Sequence, residues 1–160
     1  MSMKKMFKFG TALSLSVLFS TSGIAQCESW EAYPKGKDAA ETQHVIYRGY
    51  FNNKEYDKAF PVWEELFQHV KSPAPAPRRH FKDGIKMFQE RIKVEMAKKD
   101  AMDKEKKDAD LKMMINLYDQ MAGCTGEKAT DRAYQGYYMN RFKADPLEQL
   151  KVMNKAIELG

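Results

Sequence analysis

The side chains able to do chemistry are few and scattered. The 160-residue chain has three histidines, His44, His69 and His80, and two cysteines, Cys27 and Cys124. No two histidines stand four apart, and no HExxH or His-Cys cluster occurs, so the spacing gives no metal-ligand pattern. Glu64-Glu65 and Asp83 are candidate carboxylates, but acid–base work needs two such groups paired in a cleft. There is no GxSxG elbow, phosphate loop or dinucleotide fingerprint. The serines cluster in the first 25 residues, without a triad partner. Eight tyrosines and nine phenylalanines fit helix-packing mass better than a sugar or cofactor platform. The expectation is no catalytic residue, no metal and no cofactor. A site assembled between helices leaves little trace in sequence, so a small helical enzyme or ligand carrier is the alternative.

The first residues carry an address rather than a fold. Lys4, Lys5 and Lys8 come without an acid, an apolar block runs over 12–19, and Gly23-x-Ala25 precedes Gln26. A basic start, a short apolar block and small residues at a cut site make a secretory signal. The block is shorter than the roughly 20 residues of a membrane-spanning helix. Residues 1–25 are therefore expected to be removed, leaving 26–160 as one domain in the periplasm, at the cell envelope or secreted. The competing readings are a buried helix of a cytosolic protein and a lipid anchor on Cys27. Gln26 fits a lipidation motif poorly.

Charge follows the same division. Lysine and arginine total 27 against 22 acids, a net +5, but residues 1–25 hold three lysines and no acid, so the remainder carries only +2. The lysines of 93–112 alternate with Glu and Asp. Nucleic-acid binding needs basic charge gathered on one face, so a nucleic-acid partner is not expected. Nor is a membrane span. In an oxidising compartment, Cys27 and Cys124 are expected to pair. Free thiols and an intermolecular bridge are the alternatives. Closing a loop of nearly 100 residues stabilises by about 4–5 kcal/mol in the chain-entropy model.

The rest reads as helix. Val45, Ile46, Gly49, Tyr50 and Phe51 give a first helix a broad apolar side, ended by Asn52-Asn53. Tyr56, Ala59, Phe60, Trp63 and Phe67 recur at helical spacing. Pro61 lies near the start of that second helix. Pro73, Pro75 and Pro77 mark a stiff break. Phe81, Ile85, Phe88, Ile92 and Met96 line a long third helix, and Leu111 to Met121 a fourth. Between them, Glu95–Lys99, Asp100–Lys104 and Asp103–Lys107 are i,i+4 charge pairs. Ala129 to Met139 forms a fifth helix. Asp145-Pro146 starts a sixth with Leu147, Leu150, Met153, Ile157 and Leu159 on its inner side.

This spacing resembles a tetratricopeptide repeat. Tyr50, Tyr56, the small Ala59, Trp63 and Leu66 match the second half of the repeat. Tyr47 stands at the glycine position and Gln43 at the tryptophan-like one. The signal's Ala-Gln ending, Cys27, Tyr56-Asp57-Lys58-Ala59, Trp63, Lys82-Asp83-Gly84-Ile85-Lys86 and Leu117-Tyr118-Asp119 are also similar to exported helical-repeat proteins of Bacteroidota-type bacteria. The resemblance implies an all-α stack of about three antiparallel hairpins, an α-solenoid, serving as a non-catalytic protein-interaction or scaffold module. By the same alignment His44, Arg48 and Asn52 lie one turn apart beside Phe51, with Lys82 and Lys86 on the next hairpin. These six are the candidate residues for holding a protein or peptide partner. Exported protein is expected to begin at Gln26 by N-terminal mass analysis; material retaining Met1 would overturn the signal reading.

Overall fold

The computed structural model describes residues 27–160, so the signal segment and its cut site lie outside the described residues. Six α-helices follow in order: α1 Lys37–Asn52, α2 Tyr56–His69, α3 Pro77–Ala97, α4 Lys104–Thr125, α5 Ala129–Arg141 and α6 Pro146–Leu159. Single 3-10 turns occupy Trp30–Ala32 and Lys99–Ala101. No strand occurs among the described residues. The closest packing joins α1 to α2, α3 to α4 and α5 to α6, with smaller contacts from α2 to α3 and from α4 to α5. The fold is thus all-α, three hairpins in sequence order.

Local chemistry sets the helix ends. Asp103 caps α4 by accepting from the Lys106 amide, and Asp145 caps α6 by accepting from Leu147 and Glu148. Each satisfies an amide that the helix start leaves without a partner. The pairs expected across 95–107 do not form, because Lys99–Ala101 turns and Asp103 is spent as a cap. Glu95, 1% exposed, instead gathers Lys98, Lys106 and the Asp103 amide, locking the α3–α4 turn. Pro61 falls in the second turn of α2, so the Asp57 carbonyl has no i+4 donor. The helix continues through it. Cys124 lies in the last turn of α4 rather than in a break.

The core runs through the first two hairpins. Trp63 is 2% exposed and stacks on Phe67 at 4.7 Å between centroids, with Phe60 and Phe88 around it. Gly84 of α3 lies against this indole, and a Cβ there would overlap the ring. Gly136 of α5 admits Met153 of α6 in the same way. The stripes read on α2, α3 and α4 face the core as their periodicity predicts, with Tyr56, Phe67, Met96 and Ile115 half-buried at its edges.

Two helices depart from expectation. On α1 the inner side is Ala40, His44 and Tyr47, while Val45 is 70% exposed and Ile46 is exposed too. On α6 no residue is buried; Gln149, Val152 and Ala156 are half-buried, and Leu147, Leu150, Met153, Ile157 and Leu159 are exposed. The apolar stripe is present, but α5 covers it only at Met153, which sits against Gly136.

Gly84→Ala tests the α2–α3 packing. An alanine in a helix ordinarily adds about 0.5–1 kcal/mol. Here the indole is fenced by three phenylalanines and cannot step aside, so the variant is expected to lose about 1–3 kcal/mol, read as a lower urea midpoint.

Candidate functional site

A buried polar network ties α1 to α3. The Tyr47 hydroxyl lies 2.9 Å from His80 Nδ1 and 3.2 Å from Asp83 Oδ2. Arg48 Nη1 donates to the same Asp83 oxygen at 2.6 Å, and Nη2 donates to Asn52 at 3.2 Å. Tyr47 and His80 are fully buried. The Tyr47 hydroxyl shares one hydrogen bond with His80 Nδ1, and His80 Nε2 is a buried nitrogen for which no described side chain supplies a partner. His44 Nδ1 is in the same position. His44 sits edge-on between Trp30 and Tyr47, at 5.2 and 4.9 Å.

Burial decides how these groups titrate. Desolvation drives the His80 imidazole down to about 3, His44 adding to the effect and the Val70 backbone opposing it. Desolvation likewise lowers His44 to about 4, helped by Arg48 and Arg79. Burial raises the Asp83 carboxyl above its ordinary value despite the guanidinium of Arg48. Burial, with Asp83 next, also raises the Tyr47 hydroxyl. The cluster is a set of neutral rings around one ion pair, which is structural chemistry rather than a proton relay.

The six residues singled out from the sequence divide into three places. Arg48, Phe51 and Asn52 sit together, with the Arg48 guanidinium 5.2 Å from the Phe51 ring centroid. Phe51 meets Tyr56 edge-on at 5.4 Å, and Lys86 Nζ lies 5.9 Å from the Tyr56 ring, held by Glu90 at 2.7 Å. Lys82 stands apart, 3.2 Å from Asp131 of α5. His44 lies one turn before Arg48 and is packed among aromatic rings. Cys27 and Cys124 are bridged, with Cα atoms 5.4 Å apart. A sulfur in that bond carries no thioether lipid.

Of the remaining candidates, His69 stacks edge-on with Tyr33, and Glu65 is taken by Tyr33 and Lys35. Among the described residues, no group of three or more His, Cys, Asp or Glu is placed to hold a metal. No helix among them is long and apolar enough to cross a membrane.

Sequence reasoning missed a groove of about 440 Å³ between α1 and the 73–76 loop. Trp30, His44, Val45, Arg48, Pro73 to Ala76 and Arg79 line it, with Glu41 at one side. Trp30 is fixed there by its indole N–H, which donates to the Ala74 carbonyl at 2.9 Å. Arg79 is exposed, and its side chain makes no hydrogen bond or ion pair among the described residues. The only signal in the sequence was Arg78-Arg79 following three prolines.

Compared with models of known families, with curated proteins and with solved structures, the chain has no match. The three hairpins are therefore described by their own geometry.

The depressed histidines fix a pH dependence. The folded state keeps both neutral where the unfolded chain, with histidines near 6.5, takes up protons. Stability is therefore full above about pH 6.5 and falls as the pH drops toward 4, by up to about 1.4 kcal/mol per unit per histidine. Asp83 opposes this only just above the ordinary carboxylate range. His80→Asn, which keeps a hydrogen-bonding atom near Nδ1 but does not titrate, is expected to halve that slope between about pH 5 and 6.5 in urea unfolding at stepped pH, above the range where the lowered carboxyls of Glu65, Glu90 and Glu95 add to it. An unchanged slope would show that His80 does not carry it.

Proposed function

We propose that the protein is an exported, non-catalytic interaction module of the periplasm or cell envelope. In this reading it binds a protein or peptide partner along the side formed by α1, α3 and α5. The observation that carries the reading is how those first helices are tied. Arg48 of α1 meets Asp83 of α3, and Arg78 and Lys82 of α3 meet Asp131 of α5. Asp83 and Asp131 are buried, so each acid is consumed between helices while cations and aromatic rings remain toward solvent.

Lys82 is about half exposed, Lys86 somewhat less, and Asn52 is exposed near the ring pair Phe51–Tyr56. Tyr134 and Tyr137 of α5 are exposed as well. Tyrosines offer large contact area with few rotors, and rim cations favour acidic partners and fast encounter. The first two hairpins, closed by the disulfide and the Arg48–Asp83 pair, present their share of that surface already ordered, so little is lost on binding there. The tetratricopeptide-like spacing of α1 and α2 and the signal-like first residues support the same reading.

Affinity capture from envelope extract tests it, with wild type beside Asn52→Ala/Lys82→Ala/Lys86→Ala. None of these three side chains is buried, so the triple variant is expected to keep the wild-type free energy of urea unfolding to within about 1 kcal/mol. A specific partner is expected to weaken by about tenfold or more. Every partner retained at wild-type affinity by the folded variant would remove this face from the reading.

A further inference from the structure

The groove beside Trp30 continues across α1 into a second hollow, and the two are opposite in charge. Arg48 and Arg79 line the first; Asp38, Glu41, Thr42, Val45 and Ile46 line the second. Glu41 and Val45 belong to both, so Val45, 70% exposed, is the apolar step between them.

Several features of the first hollow favour an anion. Among the described residues the Arg79 side chain forms no ion pair of its own; Asp83 is the acid its charge acts on, and that carboxylate is already held by Arg48. Arg48 and Arg79 both help hold His44 neutral. Ala76, which lines the wall, is the N-cap of α3 and supplies no side-chain cap. That end of a 21-residue helix carries the positive pole of its dipole. The walls are apolar and stiff, made of Trp30, Pro73 and Pro75. At the other end Asp38 has no ion pair among the described residues, and Glu41 reaches Lys37 only at 3.8 Å.

We infer that these adjoining hollows hold an extended peptide segment of a partner protein, with an acidic residue at Arg79, an apolar residue on Val45 and a basic residue at Asp38. This rests on the binding-module reading and names the segment that module takes. From Asp38 to Arg48, which lines the same hollow as Arg79, is about 15 Å along α1, which about five extended residues span. A free small anion would use the Arg79 end alone and gain nothing from Val45 or Asp38. A segment with both charges uses the whole surface.

The test uses blocked pentapeptides titrated against the protein and followed by tryptophan fluorescence, since Trp30 forms a groove wall. Glu-Ala-Leu-Ala-Lys is expected to bind. Changing its Glu to Gln, or its Leu to Ser, is expected to weaken binding about tenfold. Arg79→Glu is expected to reverse the preference, favouring Lys-Ala-Leu-Ala-Lys over the parent peptide. Lys112→Glu, an exposed charge on α4 outside the groove, is expected to change neither. Unaltered peptide preference in Arg79→Glu would overturn the inference, as would inorganic phosphate displacing the peptide at equal concentration. Failure of every pentapeptide would also overturn it. The broader reading is judged separately, by the capture experiment, whose substitutions lie outside these hollows.

Discussion

Arg78 occupies the place where most of the chain meets. Its guanidinium donates to the carbonyls of Thr125 and Gly126, at 2.9 and 2.7 Å, and pairs with Asp131. It therefore satisfies the end of α4, whose last carbonyls have no partner within the helix, while anchoring the start of α5. One residue back from Thr125, Cys124 is bridged to Cys27. From there the N-terminal segment runs under the proline loop: Glu28 accepts from the amides of Lys71 and Ser72, and Trp30 donates to Ala74. Five segments are thus set by contacts around one cation and one covalent bond. The groove exists because that segment and that loop are held against α1.

The second constraint is the ion pair between α1 and α3, buried at Asp83 and half-buried at Arg48. Burying Arg48–Asp83 contributes little net stability, because both charges must leave water. Removing one partner is a different matter, costing about 3–5 kcal/mol by stranding the other. Such a network disfavours any packing of α1 on α3 that leaves its members unpaired. Tyr47 and His80 extend it into the aromatic core, so the position of the candidate face is coupled to the packing of Trp63.

Much of this was legible in the sequence, and the illegible parts have physical reasons. The hairpin boundaries followed from Asn53, the prolines and Asp145-Pro146, because backbone chemistry acts locally. The disulfide followed from two cysteines in a chain with a signal-like start. The inner faces of α2, α3 and α4 followed from apolar period. The inner face of α1 did not, because two of its three residues are His44 and Tyr47, which a hydrophobicity pattern scores as polar. The stripe of α6 was read correctly as a stripe and wrongly as buried, since periodicity says which residues share a side but not whether anything covers them. The groove was invisible because its walls come from Trp30, α1 and the 73–76 loop, far apart in sequence. The resemblance to tetratricopeptide repeats predicted the pairing of helices; Tyr47 in place of the repeat's glycine became the centre of a hydrogen-bonded network.

The bridge between Cys27 and Cys124 encloses α1 to α4 in a closed covalent ring and leaves α5 and α6 outside it. The entropy removed from the unfolded chain is thus removed for the first two hairpins only. The third is held by side-chain contacts: Arg78 and Lys82 to Asp131, Arg132 to Asp119, Lys107 to the Phe142 carbonyl, and Phe142 in the core. α6 adds no buried residue of its own. The molecule is therefore graded along its length, with a closed ring at one end and an open tail at the other. Such a gradient makes the last hairpin the unit that opens and recloses while the ring stays folded.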